Sequence, residues 1–191
     1  MATITTDPID RNFPPATQAS IWPTAVKWGL IAGVITSVLT LISYNLGMMD
    51  IGEDGTPPSS WLASLISFII VGVTIFLGQK AYRDGANGGY LTLGRAVLWT
   101  LGFSVVLGAI SAVFTYLFYG VLAPDYLSDL KEAQMDAAVE QGVDEASIEA
   151  METGLDLMMS PGAMALSALI GLVIITLILG LIIGLFVRRE R

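Results

Sequence analysis

Residues 28–49, WGLIAGVITSVLTLISYNLGMM, decide the fold, because they carry no charged side chain and are long enough to cross a bilayer. A helix that spans the hydrocarbon layer needs about 20 mostly apolar residues. Three further runs of this kind follow along the chain. The sequence therefore predicts an all-α membrane four-helix bundle, built as two tandem transmembrane hairpins.

The composition supports this fold class and excludes several functions. The chain has 191 residues, of which 54% are hydrophobic and only 14% charged, whereas a soluble domain carries about 25% charged residues. The absence of cysteine and histidine excludes thiol chemistry and Cys/His zinc sites. The net charge of -8 argues against a nucleic-acid partner. We expect no catalytic residue, no metal and no cofactor.

The four spans are expected at about residues 24–49, 60–79, 95–122 and 161–187, within one membrane domain that covers residues 24–191. Residues 1–23 are polar and contain four prolines, a composition that predicts a disordered cytoplasmic tail. Residues 50–60 contain Pro57 and Pro58 and are predicted to form a turn.

The one sizeable polar segment, residues 124–160, is acidic and has a helical pattern. We predict two short helices outside the membrane, between spans three and four. Gly142 is expected to end the first helix, and Asp144 to cap the second. Ser160 and Pro161 have the residue types of the N-cap and first position of span four.

Lysine and arginine predict the orientation, because positive residues in short loops remain cytoplasmic. With four spans, both termini lie on one side, and we expect them in the cytoplasm. The predicted topology anchors on that side are Lys80, Arg83, Arg95, Arg188 and Arg189.

The helices are expected to pack through small residues, because lipid provides no hydrophobic drive between helices. The predicted helix-packing residues are Gly29, Gly33, Ser37, Thr40, Ser64, Ser67, Gly108, Ala112, Gly171, Gly180 and Gly184. The alternative is that the same hydroxyls line a polar groove for a substrate. Asn45 and Gln79 are expected near span ends, where water or headgroups would satisfy their amides.

Residues 33–44 and 108–119 share Gly, Ile, Val, Thr and Tyr at matching positions. Both segments run in the same direction through the membrane. They suggest two hairpins duplicated in parallel and related by an axis along the membrane normal. Chance similarity between two apolar runs is the alternative.

No Asp, Glu, Lys or Arg lies in the predicted span cores, which argues against a proton-coupled transporter. The first hypothesis is a non-enzymatic envelope or accessory protein that binds lipid, another membrane protein or a second copy of itself. The alternative is an oligomeric channel or carrier for a small neutral solute. The candidate partner surface on the second outer helix consists of Ile148, Met151, Leu155, Met158 and Met159. The alternative is that the two outer helices lie on their own bundle or at the outer headgroup boundary and bury this stripe there.

Several short motifs carry a family resemblance: WGLIAG at 28–33, AYR at 81–83, GYLTLGRA at 89–96 and GAIS at 108–111. With them, the chain resembles a family of small bacterial membrane proteins of the Bacteroidetes type, domain of unknown function 4199. The resemblance implies four spans and a bacterial inner membrane. It brings no catalytic residues.

Overall fold

The computed structural model describes residues 19–51 and 61–189. The chain forms six α-helices over these residues, and the only β-type pairing among them is a single bridge between Leu91 and Arg189. The helices are α1 (Trp22–Asn45), α2 (Trp61–Ala81), α3 (Leu93–Leu117), α4 (Tyr126–Glu140), α5 (Glu145–Met158) and α6 (Pro161–Val187). Residues 1–18 of the predicted tail and 52–60 of the predicted turn lie outside the described residues, and α1 begins two residues before the predicted start of span one.

Four of the helices, α1, α2, α3 and α6, are long and apolar enough to cross a membrane. This confirms the predicted all-α architecture with four long helices and a short helical pair between the third and the fourth. One π-helical turn extends α2 (Tyr82–Ala86), and another extends α3 (Phe118–Leu122). Helix α1 ends earlier than predicted, and Gly47, at φ +69°, turns the chain two residues beyond its end.

The two ends of the bundle differ in charge. At one end, which we call the basic end, α1 and α3 begin and α2 and α6 finish, and all five predicted anchors lie there. At the other end, which we call the acidic end, α4 and α5 connect α3 to α6. Residues 124–160 at this end contain ten Asp and Glu residues and the single cation Lys131.

The long helices are arranged so that α3 packs beside α1 and α6, and α2 packs beside the same two helices. Helices α2 and α3, although consecutive, therefore face each other across the bundle. Trp99 of α3 fills the space between them, is fully buried, and would lie 2.2 Å from a Cβ added at Gly78 of α2.

The suggested symmetry between the two hairpins is not visible in this packing. An axis that exchanged the hairpins would make the α1–α2 contact equivalent to the α3–α6 contact. Instead, α3 and α6 pack closely along much of their length, whereas α1 and α2 pack loosely. The similarity between residues 33–44 and 108–119 therefore has no counterpart in how the hairpins pack.

The predicted helix ends are confirmed at three positions. Gly142 adopts φ +75° after α4. The Asp144 carboxylate accepts hydrogen bonds from the Ser147 amide at 3.2 Å and the Ser147 hydroxyl at 2.6 Å, and the hydroxyl bond holds the pKa of Asp144 below its usual range. The Ser160 hydroxyl accepts from the Ala163 amide at 3.2 Å, directly before Pro161.

Close helix contacts occur where glycine meets a bulkier residue of the neighbouring helix. A Cβ added at Gly180 of α6 would lie 2.2 Å from Thr100 Cγ2 of α3, and one added at Gly33 of α1 would lie 2.8 Å from Ile110 Cγ2. Gly171 differs, because no atom lies within 4 Å of its Cβ position.

We predict that Gly180→Ala destabilises the protein by about 1–3 kcal/mol, the usual cost of overpacking a well-packed interior. Gly171→Ala is the matched control on the same helix, and it should be neutral or slightly stabilising because alanine favours helix. Thermal unfolding in detergent micelles, followed by tryptophan fluorescence, measures both. Equal stability of the two variants would contradict the contact at Thr100.

Candidate binding cavity between the long helices

The four long helices surround a cavity of about 560 Å³ in the acidic-end half of the bundle. All four contribute to its wall, and its volume lies within the range of about 300–1,000 Å³ that is usual for small-molecule sites. Nine aliphatic hydroxyls belong to its wall, those of Thr36, Ser37, Thr40, Ser43, Ser64, Ser67, Ser111, Thr115 and Thr176.

The rest of the wall is mostly apolar. Phe68, Leu107, Phe114 and Leu172 are typical of it, one from each of α2 and α6 and two from α3. None of the described residues that line the cavity carries a charge at neutral pH. The site is therefore suited to a neutral ligand, because an ion would lose its hydration there without gaining a partner.

The hydroxyls of the wall fall into two groups. Thr36, Thr40 and Thr176 donate to carbonyl oxygens one turn earlier in their own helices, at 2.9, 3.0 and 2.5 Å. Ser67 and Ser111, by contrast, make no hydrogen bond to another residue in the described part of the chain. The serines can therefore donate to a ligand without giving up an existing bond.

A polar contact between three helices lies between the cavity and the basic end. Gln79 of α2 is fully buried, and its Nε2 donates to Thr100 Oγ1 of α3 at 3.0 Å and to the Gly180 carbonyl oxygen of α6 at 3.1 Å. Trp99 and Phe103 stack beside this contact, with ring centroids 5.5 Å apart.

The expectation that water or headgroups satisfy Gln79 is therefore wrong. It rests on the position of Gln79 at the predicted end of span two. Adjacent residues of a helix point in different directions, so Lys80 is exposed while Gln79 faces the bundle centre. Gln79 Oε1 has no hydrogen-bond partner among the described residues.

At the basic end, two of the predicted anchors are part of a hydrogen-bonded cluster. The Arg95 guanidinium donates to the Tyr82 hydroxyl at 2.8 Å and to the Ala19 carbonyl oxygen, which also accepts from the Tyr82 hydroxyl at 2.7 Å. Arg83 donates to the Val187 carbonyl oxygen at 2.9 Å. The cluster joins the start of α1, the α2–α3 connection and the end of α6. The other three predicted anchors are exposed side chains at the same end: Lys80, Arg188 and Arg189.

At the acidic end, aromatic side chains pack over the part of the cavity between α1 and α3. Tyr44 contacts Phe118 edge to face at 5.1 Å, and Tyr119 lies 5.8 Å from Tyr126. The Tyr126 hydroxyl donates to the Met49 carbonyl oxygen at 2.9 Å. Since Met49 and Tyr119 also line the cavity, this aromatic cluster forms part of its roof.

The predicted packing residues occupy different environments. Gly29, Gly33, Gly108, Gly180 and Gly184 lie against neighbouring helices, whereas Gly171 faces open space. Ala112 is half-buried on α3. Four of the set belong to the cavity wall: Ser37, Thr40, Ser64 and Ser67. These four side chains therefore fit the alternative expectation, in which the hydroxyls line a groove.

The candidate partner surface lies on α5, which contains no fully buried residue. Lys131 of α4 links the two short helices through Asp156 at 2.6 Å and Glu152 at 3.3 Å. Met158 is 67% exposed, and the remaining residues of the predicted surface are half-buried: Ile148, Met151, Leu155 and Met159. The exposed Leu157 was missed, because it falls outside the apolar stripe.

Comparison with known proteins gives one match. The sequence model of a family described as protein of unknown function, DUF4199, matches residues 27–189, a range that includes α2 to α6 and most of α1. No curated protein and no solved structure matches the chain.

Tyr126, which belongs to the aromatic cluster over the cavity, leads to a prediction for alkaline pH. Burial, followed by the charge interactions with Tyr119 and Asp50, raises the pKa of Tyr126 to about 12. The fold thus favours the neutral phenol, so its contribution to stability is complete below about pH 10, the pKa of an unfolded tyrosine. That contribution is lost as the pH rises from there towards the folded pKa.

We therefore expect the melting temperature of the wild type to fall more steeply above pH 10 than that of Tyr126→Phe. Tyr116→Phe is the matched control, because Tyr116 is 56% exposed, and it should follow the wild type. Melting curves in detergent across this pH range provide the measurement. Parallel curves for all three proteins would contradict the role given to Tyr126.

Proposed function

The chain belongs to the DUF4199 family of proteins of unknown function, and we propose that it is a non-enzymatic integral membrane protein that binds a neutral, mostly apolar ligand. The observation that carries this proposal is the cavity of about 560 Å³, with nine hydroxyls and no charge on its described wall. A mostly apolar wall with a few hydrogen-bonding groups is the usual chemistry of a small-molecule site.

The cavity also supports binding over catalysis. General acid–base catalysis needs a titratable group within hydrogen-bond reach of the substrate. Tyr119 is the only titratable side chain among the described residues of the wall, and the sequence contains neither histidine nor cysteine. The proposal therefore assigns the cavity the role of holding a molecule rather than converting it.

We place the protein in a bacterial cytoplasmic membrane, with both termini in the cytoplasm. Two observations support this orientation. The predicted anchors lie together at the basic end, and Lys131 is the single cation of residues 124–160 at the other end. Positive residues in short loops favour the cytoplasmic side, and the acidic end would then face away from the cytoplasm.

Reporter fusions test this topology. A reporter that is active only in the cytoplasm should be active after Arg191 and inactive when inserted near Gly142, in the exposed connection between α4 and α5. A reporter active only outside should show the opposite pattern. Activity of the same reporter at both positions would contradict the proposed orientation.

Filling the cavity tests ligand binding. Ser67→Trp places an indole on the cavity wall, and Leu65→Trp places one on the outward face of the same helix, where Leu65 is 45% exposed. We expect the wild type and Leu65→Trp to retain a small molecule through purification. Ser67→Trp should retain about tenfold less, a loss of about 1.4 kcal/mol in binding free energy, because the indole takes up volume that the ligand needs.

Native mass spectrometry of the three purified proteins measures the bound mass. Thermal unfolding confirms that both variants are folded, and Ser111→Phe is a second filling variant from the opposite wall. Equal retention by wild type, Ser67→Trp and Ser111→Phe, or no bound molecule in any of them, would contradict the proposal.

A second candidate function is a carrier or channel for a small neutral solute. It is favoured by the buried polar side chains that lie beyond the cavity towards the basic end, Ser104, Thr100 and Gln79. Glycerol flux into liposomes containing the protein distinguishes this function, because a ligand-holding protein gives no flux above empty liposomes. A carrier would give flux that Ser67→Trp reduces and Leu65→Trp does not.

A further inference from the structure

The acidic-end half of α2 is loosely packed. None of residues 61–70 is buried, and the first buried residue of α2 is Val71. Helix α3 is different, because buried residues are spread along it from Ala96 to Gly108. The loose half of α2 therefore borders the cavity without closing it.

Two residues of this half of α2 show where the cavity opens. Ser64 and Phe68 both line the cavity, yet both are exposed at the protein surface, Phe68 by 50%. The same helix carries the exposed apolar residues Leu65 and Ile69. If α2 spans the membrane, the medium beside these side chains is hydrocarbon, so the opening leads sideways into the bilayer.

The depth of the cavity matches one leaflet. The residues that line it cover 63–71 on α2 and 107–119 on α3, which correspond to about 12 Å and about 18 Å at 1.5 Å rise per residue. Half of the hydrocarbon layer is about 15 Å thick. A single lipid chain from one leaflet therefore has the length to reach from the mouth of the cavity to Leu179, the lining residue of α6 nearest the basic end.

The charge of the acidic end restricts the headgroup. Residues 124–160 carry ten carboxylates against one lysine, which disfavours an anionic headgroup beside the mouth. A neutral or zwitterionic lipid meets no such repulsion. The Ser64 and Ser67 hydroxyls lie on the open side of the cavity, where they can donate to an ester carbonyl.

From these observations we propose that the ligand is a neutral or zwitterionic lipid of the leaflet at the acidic end, with one hydrocarbon chain inserted sideways past α2. This proposal rests on the proposed function and specifies its ligand. A solute that enters from water is the competing occupant.

Photocrosslinking from within the bilayer tests this occupant. The wild-type protein is reconstituted into phosphatidylcholine vesicles that contain phosphatidylcholine with a diazirine in one acyl chain, and the labelled residues are identified by mass spectrometry. Thr36 of α1 and Leu172 of α6 line the cavity and are half-buried, so a chain held in the cavity can contact them. Leu98 and Val105 are each 49% exposed and report ordinary lipid contact.

We expect labelling at Thr36 and Leu172 as well as at Leu98 and Val105. In Ser67→Trp, labelling of the two cavity residues should fall about tenfold, a cost of about 1.4 kcal/mol, while labelling of the outward pair is unchanged. Leu65→Trp should match the wild type at all four positions, and Ser111→Phe should reproduce Ser67→Trp.

Two results would overturn the lipid proposal. One is labelling confined to the outward residues. The other is labelling of Thr36 and Leu172 by a water-soluble neutral diazirine that the lipid reagent does not reproduce. In either case the proposed function survives if a purified ligand is still lost in Ser67→Trp and kept in Leu65→Trp, so the two proposals fail separately.

Discussion

The contact between Gly180 of α6 and Thr100 of α3 holds the basic-end half of the bundle together. Helices in a bilayer gain little from burying apolar surface against one another, because lipid is equally apolar, so close packing and hydrogen bonds must bring them together. Here glycine lets the two backbones approach closely. The Thr100 hydroxyl donates to the Ala96 carbonyl oxygen and accepts from Gln79 Nε2, which adds α2 to the same contact.

The cavity is the consequence of a change in side-chain size along the bundle. In the basic-end half, Trp99 and Phe103 are large, fully buried and stacked, and they fill the centre of the bundle. Towards the acidic end, serine and threonine occupy many of the inward positions, and they leave volume unfilled. Such a space suits a neutral guest, since apolar lining contacts its carbon atoms and free hydroxyls donate to its oxygen atoms.

Loose packing of α2 connects the cavity to its surroundings. Regions with few buried contacts open at low free-energy cost, and binding elements are commonly drawn from them. Gly78 and Gln79 hold the basic-end half of α2 against Trp99 and Thr100, whereas its other half has no buried residue. A helix that is tightly packed in one half and loosely packed in the other can admit a ligand without disrupting the bundle.

The sequence by itself determined the four long helices, the two short helices between the third and the fourth, and the caps at Gly142, Asp144 and Ser160, because these features depend on local hydropathy and on backbone groups a few residues apart. Only the tertiary structure decided which small residues pack and which line a cavity. Gly171 and Gly180 lie on one helix that is apolar on all sides, so its pattern marks no inward face. The burial of Gln79 could not be predicted from the sequence either. It depends on the rotation of α2 against two helices that are distant in sequence, and local pattern carries no information about that rotation.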